Sequence, residues 1–341
     1  MMWIRFRWIA RFLVPAILLF VIFGKINLKE LIVALSNVNP WLYFMGMVVG
    51  YFSQVFLAAW RWKFILNSFY QIQIPYYILL RYLWIGMFLG YFVPSGIGTD
   101  VYRVAKAAKY KGGYKVNIIA IIGEKGFILL GSTLLIMMGY PMINRMIVLD
   151  TGITEVVNSI YLVAAVALMV LISLIVAFAL GRPMSNQRIC DWLQKKLDSV
   201  KHIISTKVGG RFVEGSDGLS ISDLIRPFFR WQNIFVMVTF TIGMRIISAA
   251  GGNIIFMALK TDVPIIVNIF VATLMFIIFM VPISFGTLGI REGSFIVLYG
   301  MFGISSETAL AASFLGLASL LSMTSVGGII LLVRNIRQKT D

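Results

Sequence analysis

Two short stretches place a proline, glycines and an arginine at matching positions. "VPSGIGTDVYR" occupies 93–103 and "VPISFGTLGIR" occupies 281–291; aligned without a gap, they share Val-Pro, a central Gly-Thr (Gly98 and Thr99, Gly286 and Thr287) and the closing arginine. Pro94 and Pro282 lack a backbone donor and clash with the preceding turn, so with the glycines around them they break a helix. Gly96 and Gly98 let backbone N–H groups approach an anion closely, and the helix that starts after them turns its positive dipole end toward the same point. Beyond that break Asp100, Arg103, Lys106 and Lys109 recur every third residue, a slowly drifting polar stripe opposite Val101, Val104, Ala105 and Ala108. Three cations with one acid suit a phosphate, because arginine offers its oxygens a planar fork and lysine a mobile point charge. Lys106 and Lys109 also fit as ordinary charges flanking a membrane segment.

Further charges lie inside apolar runs. Glu124 and Lys125 fall within 116–138, where an ionised side chain costs at least ~2.5–3.5 kcal/mol on insertion scales, so each must face a cavity or a partner. Glu124 can pair with Arg103 or with Arg81, as a structural ion pair or as part of a substrate site. Arg291 and Glu292 close the second motif, after Gly286 and Gly289, in the same style. Arg245 is a cation in 232–259 with no acid near it in sequence. Arg81, Lys125, Arg245 and Arg291 thus stand against Glu124 and Glu292 within the apolar segments, and that excess predicts an anionic ligand.

The scaffold that must carry these residues is a membrane one. The 341-residue chain is 60% hydrophobic and 13% charged, and its apolar residues fall in runs near the ~20 that span a bilayer. These runs cover about 12–26, 41–60, 76–93, 116–138, 157–180, 232–259, 264–282 and 307–333, with 294–302 as a short helix of its own. The first resembles a signal peptide but lacks a small-x-small cleavage site, and is expected to stay as a helix. Cys190 and His202 are the single cysteine and single histidine, which leaves no disulfide framework and no ordinary metal constellation; no metal and no cofactor are expected. The net charge of +16 concentrates in loops beside apolar segments, as topology requires, so no nucleic-acid partner is expected. The tryptophans, Trp62 and Trp84 among them, are expected in interfacial belts, and the 18 methionines in packing.

Charge placement then suggests the topology. Arg5, Arg7 and Arg11 put the N-terminus inside, Arg61 and Lys63 mark a cytoplasmic flank, and the basic loop from Arg103 to Lys115 is cytoplasmic too. Only a non-spanning segment joins two cytoplasmic loops, so 76–103 reads as a re-entrant hairpin turning at 94–98. The basic tail Arg334, Arg337 and Lys339 also belongs inside, which leaves 264–303 as a second hairpin, entered from the other face and broken at 282–289. The expected fold is an all-α polytopic membrane protein in a single transmembrane domain, 1–341, with about six spanning helices plus two opposed re-entrant hairpins forming an inverted repeat. Eight spanning helices are the alternative. Broken helices of this kind meet near the midplane of transporters, where irregular backbone must line a cavity or lie buried in protein. The basic stretch 181–230 reads as a cytoplasmic amphipathic linker: Ile189, Trp192, Leu193, Leu197, Val200 and Ile204 keep helical spacing opposite charged residues.

"VPSGIGTDVYRVAKAAKY", "GEKGFILLG", "PISFGTLGIREGSF" and "YGMFGISSETALAASFL" together resemble the lysylphosphatidylglycerol synthase transmembrane-region family, also called the flippase-like domain family. The resemblance covers nearly the whole chain and implies that Pro94, Gly98, Asp100, Arg103, Glu124, Pro282, Gly289, Arg291 and Glu292 occupy motif positions. Thr99 and Thr287 depart from glycines of the pattern, and Lys125 stands where arginine is usual, which keeps the charge and loses the fork. Some members are fused to a soluble aminoacyl transferase whose lysyl-lipid the membrane region moves between leaflets; this sequence includes no such domain, so lipid aminoacylation by it alone is not expected.

The expected function is flippase-like: binding or translocating an anionic or phosphate-bearing lipid between leaflets of the inner membrane, with both termini cytoplasmic and Arg103, Arg291 and Lys125 holding the head group. The alternative is a membrane transferase using a polyprenyl-phosphate or other lipid-linked donor, with Asp100, Glu124 or Glu292 as general base. An envelope-synthesis enzyme is a candidate partner.

Overall fold

A computed structural model describes residues 19–24, 26–91, 97–110, 113–146, 151–179, 195, 221–280 and 289–340, and those residues contain helices and no strand. In chain order the helices are α1 (Leu28–Ser36), α2 (Pro40–Tyr70), α3 (Tyr76–Tyr91), α4 (Ile97–Ala107), α5 (Gly113–Met146), α6 (Thr151–Ala179), α7 (Ile221–Ile225), α8 (Trp231–Ala258), α9 (Ile265–Met280), α10 (Ile290–Gly300) and α11 (Ser306–Thr340). Four of them, α2, α5, α8 and α11, run for 28 residues or more, and each holds an 18-residue apolar stretch with mean hydropathy of 1.6 to 2.0. At 1.5 Å per residue, 28 residues reach about 42 Å, beyond the ~30 Å hydrocarbon core. The chain is an all-α polytopic membrane protein.

Local chemistry sets the boundaries. α2 starts at Asn39, whose side chain accepts from the N–H groups of Trp41 and Leu42 at 3.0 and 3.2 Å, with Pro40 at the position that tolerates a missing donor. Nothing in its sequence breaks the helix until Gln71, which takes a left-handed φ of 58°. The helix therefore runs ten residues past the expected end at Trp60, and Arg61 is 4% exposed inside it rather than free at a flank. Midway, Val48–Phe52 form a π turn.

That turn lies at a close crossing of α2 with α8. A side chain at Gly251 of α8 would collide with the backbone of Gly50 and stand 2.9 Å from the Gly46 carbonyl. Small residues let these two backbones touch, as is common where lipid supplies no hydrophobic drive for helix association.

The two arginine motifs each flank a helical pair. α3 and α4 run antiparallel, with Gly90 and Gly86 against Thr99 and Tyr82 against Tyr102 at 6.4 Å between ring centroids. α9 and α10 also run antiparallel, joined at their outer ends by a 2.7 Å hydrogen bond from the Tyr299 hydroxyl to Asn268. Both pairs lean on α11: Trp84 and Phe88 of α3 fit over Gly327 and Gly328, and Arg291 of α10 reaches Ser313 at 3.2 Å. Of the expected turn at 94–98, Ile97 and Gly98 already belong to the start of α4 and 94–96 lie outside the described residues; of the expected break at 282–289 the structure describes Gly289, and most of 181–220 also lies outside the described residues. The end of that linker, Ile221, Leu224 and Phe228, is buried in a core cluster with Trp62, Phe69 and Phe127, and Tyr70 donates to the Leu224 carbonyl at 2.8 Å.

Replacing Gly251 by alanine should lower thermal stability in detergent by about 1–3 kcal/mol through overpacking. Gly243, on the same helix with open space around it, should accept alanine within about 1 kcal/mol. Equal melting temperatures for the two variants would remove the crossing from the account.

Candidate functional site

A cavity of about 550 Å³ lies between α2, α3, α4, α5, α8, α9, α10 and α11, and five cations and two carboxylates reach its wall. Arg103 from the first motif and Arg291 from the second both line it, together with Arg61, Lys125, Arg245, Asp100 and Glu124. The arginines are inside the protein: Arg103 is 3% exposed and Arg291 5%.

One side of the cavity is organised by a single carboxylate. Glu124, 3% exposed in the middle of α5, accepts from Arg61 Nη2 at 2.7 Å through one oxygen and from Arg103 Nη2 at 2.7 Å through the other. Arg103 also donates to Asp100 at 3.2 Å, one turn earlier on α4, and Asp100 pairs with Lys125 at 3.2 Å. The result is a chain of alternating charge, Arg61, Glu124, Arg103, Asp100, Lys125, with one more cation than anion. Low dielectric strengthens each link, and dividing Glu124 between two guanidinium groups lets one buried acid neutralise part of both. The chain ends at Lys125, whose side chain is 42% exposed and lines the cavity. Trp62 closes the back: its ring, fully buried, lies 4.4 Å from the guanidinium carbon of Arg103.

The second motif builds a separate pair. Gly289 precedes α10 with a φ of 77°, a conformation that suits glycine and strains other residues. Its N–H donates to one oxygen of Glu292 at 2.6 Å, a cap made by the residue three positions on. The other Glu292 oxygen accepts from Arg291 Nη2 at 2.6 Å, and Arg291 Nε donates to the Ser313 hydroxyl at 3.2 Å. Glu292 is fully buried, so the motif's acid serves the backbone and its arginine faces the cavity.

Of the residues expected from sequence, Asp100, Arg103, Glu124, Lys125 and Arg291 meet at the cavity. Gly98 sits in the first turn of α4 beside it, and Gly289 and Glu292 stand behind Arg291. Pro94, Gly96, Pro282 and Gly286 lie outside the described residues. The pairing of Glu124 with Arg103 is present; Arg81 instead is exposed and lies 5.8 Å from the Tyr82 ring. The polar stripe of α4 divides: Arg103 turns inward, while Lys106 lies 5.4 Å from the Tyr102 ring and Lys109 is exposed. Trp62 and Trp84, expected in an interfacial belt, are instead in the core, whereas Trp41 and Trp60 remain exposed.

Sequence reasoning missed Arg61, taken for a flank because 41–60 already suffices to span. It also missed Tyr51, Gln54, Asn268 and Tyr299 on the cavity wall. Polar residues sparsely placed in long apolar helices were the available signal for these.

Replacing Glu124 with glutamine should cost about 3–5 kcal/mol of stability, because two buried guanidinium groups lose their counter-charge at once. Lys125→Met, which removes a half-exposed pair, should stay within about 1 kcal/mol. Thermal unfolding of both in one detergent compares them; similar losses would refute the central place of Glu124.

Comparison with curated proteins and with solved structures gives no significant match. A family model described as the lysylphosphatidylglycerol synthase TM region matches residues 8–328, a span that includes both arginine motifs and every cation of the cavity. The chain belongs to the lysylphosphatidylglycerol synthase TM region family.

Proposed function

We propose that this protein moves an anionic or phosphate-bearing lipid between the leaflets of the inner membrane, with the head group in the cavity and the acyl chains left in the bilayer. The observation that carries the reading is the charge of the wall: five cations against two carboxylates in about 550 Å³, contributed by both motifs. That volume falls within the ~300–1,000 Å³ of small-molecule sites and suits a head group. A guanidinium excess on the wall of such a cavity is complementary to phosphate. Family membership supports lipid handling as the class of activity.

Contacts along α11 support two hairpins entering from opposite faces. Arg291 engages Ser313 near the start of α11, while Trp84 sits on Gly327, 14 residues or about 21 Å further along its axis. Alternating access would then be a rocking of one hairpin relative to the other around a shared pocket. Catalysis of transfer is less well supported. A general base needs a free lone pair near its substrate, whereas both oxygens of Glu124 and of Glu292 accept hydrogen bonds from buried donors and Asp100 is paired twice.

In liposomes, purified protein should speed the exchange of fluorescent phosphatidylglycerol between leaflets. Arg103→Lys or Arg291→Lys should slow it roughly tenfold, since lysine keeps the charge and loses the bidentate fork. Unchanged exchange in both variants would reject this cavity as the route. For the topology, cysteines introduced at Tyr110 and Asp262 in a Cys190→Ser background should label from the cytoplasmic and the outer side respectively. Labelling of both from one side would rule out hairpins of opposite entry.

A further inference from the structure

Four of the five cations on the cavity wall have a carboxylate: Arg61 and Arg103 share Glu124, Lys125 has Asp100, and Arg291 has Glu292. Arg245 has none among the described residues. It projects from the middle of α8, is 9% exposed, and its Nε has no hydrogen-bond partner. The Nε of Arg103 lacks an acceptor too, but both Nη atoms of that residue are engaged.

The surroundings of Arg245 hold it in place without neutralising it. Its guanidinium carbon lies 3.7 Å from the centroid of the Phe276 ring on α9. Stacking at that distance leaves the N–H donors directed outward from the rim, and repays only part of what desolvating a cation costs. The turn of α8 that carries it is fixed from α2: Gln54 donates to the Met244 carbonyl at 3.2 Å, and Arg61 touches the Met244 sulfur at 3.4 Å. Ser248, three residues on and so on the same face of α8, adds a hydroxyl to the cavity wall. A rigid, planar, unneutralised fork beside a hydroxyl has the donor set of a phosphoester site.

We infer that Arg245, presented on Phe276, is the anchor for the phosphate of the transported head group, a monoester or diester. This rests on the cavity being the lipid site proposed above, and assigns the first contact within it. Arg61 and Arg103, already committed to Glu124, hold the wall. A charge kept without a counter-charge is a cost to the empty protein that the ligand relieves, a trade of stability for binding.

The test measures melting temperatures of wild type, Arg245→Met and Arg245→Lys in a zwitterionic detergent, alone and with dioleoyl phosphatidylglycerol, dioleoylglycerol or glycerol phosphate. Wild type should be stabilised by phosphatidylglycerol, less by glycerol phosphate, and not by dioleoylglycerol. Arg245→Met should melt no lower than wild type when empty and lose the lipid-induced shift; a merely structural arginine would lower the empty melting temperature. Arg245→Lys should bind about tenfold more weakly, and it keeps the proposal open to refutation should the methionine variant not fold. A lipid-induced shift retained in Arg245→Met, a lower empty melting temperature for it, or equal affinity in Arg245→Lys overturns the assignment of Arg245 while leaving the cavity reading intact. Tighter binding of glycerol phosphate than of the lipid overturns the lipid as source of the phosphate. No phosphate-dependent shift in wild type overturns both this inference and the function it rests on.

Discussion

Charge inside a membrane protein is costly unless it is answered locally, and Glu124 answers two cations at once. It is one carboxylate on α5 joined to α2 through Arg61 and to α4 through Arg103. Three helices of different origin in sequence are thereby fixed around one acid. Packing between apolar helices in lipid has no water-driven component, so polar links of this kind, with close glycine crossings, specify which helices are neighbours. The crossing of α2 and α8 at Gly50 and Gly251 and the ion chain from Arg61 to Lys125 are two such determinants. They act on opposite halves of α2.

The two motifs, alike in sequence, make different use of their arginines. In the first, Arg103 is shared between Glu124 and Asp100 and stacked on Trp62. In the second, Arg291 pairs with its own neighbour Glu292, which also caps α10 at Gly289. One motif is tied to distant helices and the other mainly to itself and to Ser313. An asymmetric pair of supports suits a device in which one side moves against the other.

Much of the site was readable in advance because membrane burial makes charge conspicuous. Glu124 stands out within an apolar run and Arg103 beside a glycine turn, and both lie at the cavity. Arg61 did not stand out, since a 20-residue count ended the helix at Trp60, although no proline or glycine follows until Pro75. Trp62 and Trp84 were misplaced for a related reason: a belt position follows from segment ends, and the true helix end lies beyond Trp62. Tyr299 and Asn268 were marked only as polar residues in apolar helices, and their partnership was not legible, because a hydrogen bond across 31 residues depends on tertiary pairing that no local pattern carries.

The π turn at Val48–Phe52 has a geometric effect on everything after it. Each residue of a regular helix advances the azimuth by about 100°, so one extra residue in a turn shifts the downstream face by that angle. On this helix Gly46 and Gly50 must meet α8 while Gln54, Ala58 and Arg61 look into the cavity. The widened turn sits where one continuous rod passes from a tight glycine seam near its start to a charged wall toward its end.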